Sequence, residues 1–126
     1  MGLRVVQISV DTAGSAGSAV GTGYSSRPVS GEVRALKVDY SASAPAGTTD
    51  VTVTFESDDD QPEVTIYSKS NSATDAWVYP CVERTDTGGT GVSVYQNVVG
   101  CGRIKVAVAG CDALTGAAVV TAWVWE

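Results

Sequence analysis

The chain has no histidine, one methionine, one phenylalanine and three leucines among its 126 residues. Without histidine, the commonest general base and the commonest metal ligand are both missing. A Ser-His-Asp or Cys-His catalytic arrangement is therefore excluded. With so little leucine and methionine, no segment keeps apolar residues at helical spacing for three turns. No apolar run approaches the ~20 residues of a membrane-spanning helix. The opening residues lack the apolar stretch and small-residue cleavage site of a signal peptide. Basic residues are few and scattered, eight against 14 acidic ones, for a net charge of −6. Binding to a phosphate backbone rests on lysine and arginine, so nucleic acid is not expected as a partner; a membrane is not expected either, for want of a spanning run. Acidity suits solubility at high local concentration instead.

Cys81, Cys101 and Cys111 are an odd number of thiols, which reads as free cysteines made in a reducing cytoplasm. With residues 103–109 extended, Cys101 and Cys111 stand about 30 Å apart at ~3.3 Å per residue. A disulfide needs Cα atoms within about 7 Å. No C-x-x-C spacing is present, and zinc would lack a fourth ligand. Asp58-Asp59-Asp60 reads as a solvated turn, with a Ca²⁺ site helped by Glu56 or Glu63 as the alternative. Asp39 and Glu83 are acids among apolar strand residues, and nothing in their spacing makes them a hydrolytic pair. Gly88-Gly89-Thr90-Gly91 has no following Lys-Ser/Thr, so it is a turn and not a phosphate loop. No catalytic residue, metal or cofactor is assigned, and the chain is not expected to be an enzyme.

What the sequence does contain is strand. Short runs of Val, Thr, Tyr and Ile alternate with clusters of Gly, Pro, Asp and Ser. Residues 3–10 place Val6, Ile8 and Val10 on one face. Residues 12–23 are rich in Gly, Ala and Ser, with Val20 the only apolar anchor, and read as a loop or an adaptable arm. Residues 32–41 set Leu36, Val38 and Tyr40 on one side with Arg34. Residues 50–57 alternate Val51, Val53 and Phe55 against Thr52, Thr54 and Glu56. Further strands are expected over 63–68, 77–82, 92–99 and 102–109. The last runs over 116–126, joined to its predecessor through residues 110–115 as a closing hairpin. Eight or nine short strands in 126 residues predict one antiparallel β-sandwich domain over 1–126. A jelly roll is the first expectation and an immunoglobulin-like sandwich the second.

The final strand is apolar on both faces. Val119, Thr121, Trp123 and Trp125 fall on one side; Ala118, Val120, Ala122 and Val124 fall on the other. Such a strand needs cover on both faces, which suggests a partner chain as well as a core. Trp77 is expected in the core. Trp123, Trp125, Tyr79, Tyr95 and Val20 are the expected protein-interface residues, since aromatic anchors dominate such contacts. Stacking of these rings on sugars is the alternative.

The same stretch carries a resemblance. Arg103-Ile104-Lys105-Val106-Ala107-Val108-Ala109-Gly110-Cys111-Asp112-Ala113-Leu114-Thr115, with Val119-Val120-Thr121-Ala122-Trp123-Val124, resembles the C-terminal end of tailed-bacteriophage head decoration, cement or minor capsid structural proteins. Lys37-Val38-Asp39-Tyr40 with Ala44-Pro45 and residues 48–53, and Thr74-Asp75-Ala76-Trp77-Val78-Tyr79-Pro80, fit the same pattern. The likeness runs from about Pro28 to Trp125. Where the family pattern has an arginine after Tyr-Pro, this chain has Cys81. The resemblance implies a structural virion protein on the outer capsid surface, a dimer or trimer bound to the major capsid protein. The alternatives are a carbohydrate- or receptor-binding module of a phage fibre and a head-completion or tail ring component.

Overall fold

The computed structural model describes residues 2–43, 45–56 and 63–126. The described residues form nine strands and no helix. In chain order these are β1 (Leu3–Val10), β2 (Ala19–Tyr24), β3 (Val29–Tyr40), β4 (Asp50–Glu56) and β5 (Val64–Lys69). They continue with β6 (Ala76–Val78), β7 (Cys81–Thr85), β8 (Gly91–Cys111) and β9 (Ala118–Trp125). The Asp58–Asp60 run lies outside the described residues.

All pairings are antiparallel, and they nest. β4 pairs β5, β3 pairs β6, β2 pairs β8 and β1 pairs β9. Cross-links β3–β9 and β4–β8 then order one layer as β1-β9-β3-β6 and the other as β2-β8-β4-β5. A long hairpin rolled up in this way is a jelly roll. From β1 to β6 consecutive strands alternate between layers, except β4 and β5, and β7 pairs its successor β8 outside both layers.

Period-two side chains build the core between the layers. β4 turns Val51, Val53 and Phe55 inward, and β9 turns in Ala118, Val120, Ala122 and Val124. β1 adds Val6, Ile8 and Val10, and β8 adds Ile104, Val106 and Val108. Fully burying a side chain such as Val or Leu contributes roughly 1.5–3 kcal/mol, so this valine-rich interior is the main source of stability.

Four expectations need correction. The closing hairpin does not exist: residues 103–111 of β8 lie in one layer and β9 in the other, so residues 112–117 cross between layers. A six-residue link fits a hairpin and a crossing equally well, and only pairing separates them.

The strands expected over 92–99 and 102–109 are one 21-residue strand. β8 pairs β7 first, then β3 through Val98–Gly102, then β4 and β2. Its pairing passes from β3 to β4 between Gly102 and Arg103, and at Gly100, just before, the Phe55 ring would lie 2.5 Å from any added Cβ. Val98 is accordingly buried while Val92 and Val94 are exposed.

Arg34 does not share a face with Leu36. A bulge between Val33 and Ala35 inserts one residue, so Val33 and Leu36 both face the core and Arg34 points out.

The segment over 12–23 is not a free arm. Its second half is β2, and Ala13 and Val20 exchange backbone hydrogen bonds. Thr12 Oγ1 donates to the Asp112 carbonyl (2.6 Å) and accepts from the Leu114 N–H (3.0 Å). Gly17 N–H reaches Asp112 Oδ1 at 2.8 Å. The glycines serve packing here: a Cβ on Gly21 would run into the Asp11 carbonyl.

Candidate interaction face

The outer side of the β1-β9-β3-β6 layer can be assembled row by row from the register. Leu3, Trp125 and Glu32 form the first row; Val5, Trp123 and Ala35 form the second. Gln7, Thr121, Lys37 and Trp77 form the third, and Ser9, Val119 and Asp39 the fourth. Alternation fixes this placement, because β1 and β9 send their other side chains into the core. The rows grade from apolar to polar. Leu3 (55%), Val5 (58%), Trp77 (51%) and Trp125 (43%) are all exposed, and Trp123 is half-buried.

Trp77 is the anchor of an aromatic cluster. Its ring centroid lies 4.8 Å from that of Trp123, tilted by 41°, and 6.4 Å from that of Tyr79, at 65°. The expectation that Trp77 sits in the core is wrong. β6 pairs with Leu36–Val38 so that Trp77 lies opposite Lys37, whose side chain faces outward. Pro80 cannot donate to a sheet ladder and separates β6 from β7.

Charge rims the cluster. The Arg34 guanidinium lies 5.3 Å from the Trp125 ring centroid, within cation–π range. Its Nε sits 2.7 Å from Glu32 Oε1, which also accepts from Asn97 Nδ2. Lys37 pairs with Asp39 at 3.4 Å, and Arg4 with Glu126 at 3.4 Å. Asp39 is thus an ion-pair partner on the layer, whereas Glu83 accepts the Ser93 N–H in the β7–β8 ribbon (2.9 Å). The two acids serve different elements.

Among the expected interface residues, Trp123, Trp125 and Tyr79 come together on this face, joined by Trp77, Leu3 and Val5. Tyr95 is exposed on the ribbon, and Val20 is exposed on β2 of the other layer. Those two do not join the cluster. Leu3 and Val5 were detectable as the residues alternating with Val6, Ile8 and Val10, but an edge strand's second face draws no attention when the first supplies the core. All three cysteines are free; Cys81 and Cys101 are exposed and Cys111 is buried.

At the far end of β3, Tyr40 packs against the core, and its backbone N–H donates to Asp75 Oδ1 (2.7 Å). Burial, then the neighbouring Tyr67, Asp75 and Cys111, push its phenol up to about 12. Burial also raises Tyr67.

No family model, curated protein or solved structure matches this chain.

Proposed function

We propose that the chain is a non-enzymatic structural virion protein. It decorates the outer surface of a tailed-bacteriophage capsid and stabilises the shell by bridging major capsid protein subunits. The observation that carries this reading is the apolar outer face of β1, β9 and β6, with Leu3, Val5, Trp77, Tyr79 and Trp125 exposed together. Monomeric proteins rarely expose apolar patches beyond about 300–600 Å², and Trp, Tyr and Arg are the residues that anchor protein contacts. The resemblance over about Pro28–Trp125 supplies the capsid setting. The jelly roll is common in viral capsid and lectin domains, which is fold-level analogy alone.

The test compares capsids assembled with and without the protein. The decorated shell is expected to melt and release DNA at a higher temperature. Equal melting and release temperatures overturn the cement role.

Sugar binding is the second reading, favoured by the exposure of Trp77 and Tyr79. Rings inclined by 41° and 65° offer no flat platform, which favours protein contact over it. Glycan binding that vanishes in Trp77→Ala would reverse that order.

A further inference from the structure

We infer that β1 takes up an extended segment of the capsid protein as an added strand along its free edge. This deepens the capsid-contact reading and rests on it: main-chain hydrogen bonds join the apolar side chains in making the contact.

The register identifies the groups. Gly2 N–H donates to the Glu126 carbonyl (3.2 Å), and Glu126 N–H donates to the Gly2 carbonyl (3.0 Å). Hydrogen-bonded pairs alternate along an antiparallel ladder. Arg4–Val124, Val6–Ala122 and Ile8–Val120 are therefore bonded pairs of the same register. Leu3, Val5, Gln7 and Ser9 turn their N–H and C=O groups away from β9. Among the described residues, β1 ends its layer and pairs with no second strand. At one end β2 closes on it: a Cβ on Gly23 would lie 3.0 Å from the Ser9 carbonyl. Leu3, Val5 and Gln7 remain, and among the described residues their backbone N–H and C=O groups have no backbone partner.

The other edges are blunted and this one is not. Bulges, proline, lysine and short strands keep an edge from pairing with another chain. The pairings of β2, β5 and β7 each carry a register shift. β6 has three residues and is followed by Tyr79-Pro80. β1 pairs through all eight of its residues without a shift and contains neither proline nor lysine. Its one charged residue, Arg4, is held by Glu126 at 3.4 Å. An unbulged edge with Leu3 and Val5 exposed is a template for strand addition.

The side chains specify the occupant. Residues opposite each other on paired strands share a face, so an added strand continues the outer rows. Alternate residues of it fall beside Leu3 and Trp125, beside Val5 and Trp123, and beside Gln7 and Thr121. The segment that fits is extended, apolar at two alternate positions and polar at the third. A second β1 fits less well. Antiparallel self-pairing through all three free residues sets Leu3 on Gln7. Shifting it to set Leu3 on Val5 puts Arg4 on Arg4, and like charges directly opposite are destabilising. A different chain carries neither mismatch, and the rows it extends are those of the proposed capsid contact.

Proline separates the backbone from the apolar side chains, because an edge strand tolerates it where the N–H faces outward. Gln7→Pro removes an N–H aimed at the added strand, and Gln7→Thr keeps it. Both lose the Gln7–Thr121 hydrogen bond alike, and both leave Leu3, Val5 and the tryptophans in place. In co-sedimentation with capsids, Gln7→Pro is expected to bind roughly 10–100-fold more weakly than Gln7→Thr, with both folded by circular dichroism. Hydrogen exchange of the wild type needs no substitution. The Leu3, Val5 and Gln7 amides are expected to exchange freely in the unbound protein and to be protected on the capsid, whereas those of Arg4, Val6 and Ile8 are protected in both. Equal binding by the two Gln7 variants, or amides that stay unprotected on the capsid, overturns the added strand and leaves the capsid role standing. A wild type that does not bind capsids overturns the capsid role and the added strand with it. Protection of the same three amides without capsids, lost on dilution, gives the edge to a second copy and also overturns the proposal.

Discussion

The two layers of this jelly roll obey one rule inside and opposite rules outside. Inward, both present valine, isoleucine and alanine at period two. Outward, the β2-β8-β4-β5 layer carries Thr22, Ala107 and Thr52 in one row and Tyr24, Lys105 and Thr54 in the next. Lys105 lies within 3.8 Å of both Glu56 and Glu63, and Arg103 sits 6.0 Å from the Tyr24 ring centroid. These rows are mostly small and charged groups, although Val20, Tyr24 and Val64 of this layer are also exposed. The β1-β9-β3-β6 layer instead exposes two tryptophans, a leucine and a valine. A sandwich requires only its inner faces to be apolar. The excess on one outer face is therefore not explained by folding, and it is the strongest pointer to a partner.

Three perturbations grade the comparison. The largest effect belongs inside, where the layers are alike. Leu36→Ala empties a fully buried site and is expected to cost about 2–5 kcal/mol, read as a fall in the denaturation midpoint.

The next lies at the seam. Tyr40 has a folded-state pKa raised from 10.0 to about 12. The neutral phenol is favoured by folding, so its contribution is complete below the ordinary value and is lost as pH rises through the raised one. The thermal unfolding midpoint should thus fall across roughly pH 10–12, and Tyr40→Phe should flatten that decline. An unchanged slope would remove burial of Tyr40 as its cause.

The smallest lies on the polar outer face. Lys105→Ala breaks two partly exposed ion pairs, each worth about 0–1 kcal/mol. It should leave both stability and capsid binding close to the wild type, whereas Val5→Lys with Trp77→Lys should abolish capsid binding, read by co-sedimentation with capsids.

Alternation was legible wherever one strand served one face. The inward set of β4 and the two faces of β9 follow directly from the order of Val, Thr and Ala. The nesting that makes a jelly roll also suits a chain of short strands. What the residues did not carry was pairing. The bulge at Arg34 depends on the opposing Val124 and Trp123. The continuity of β8 depends on four different neighbours, β7, then β3, then β4 and β2. Gly21 looks like linker composition until Asp11 is placed against it. Trp77 reads as core because it is large and apolar, yet β6 lies at a layer edge whose inward positions are filled by Ala76 and Val78. Trp123 and Trp125 were legible as interface candidates because their strand had apolar residues to spare.

The central claim is that the tryptophan-bearing face meets another chain and the lysine-bearing face does not. Oxidative footprinting of the particle-bound protein against the dissociated protein tests it most directly. Trp77, Tyr79 and Trp125 are expected to lose reactivity on assembly while Tyr24 keeps it. Protection of Tyr24 with undiminished oxidation of Trp77 and Trp125 would contradict the account.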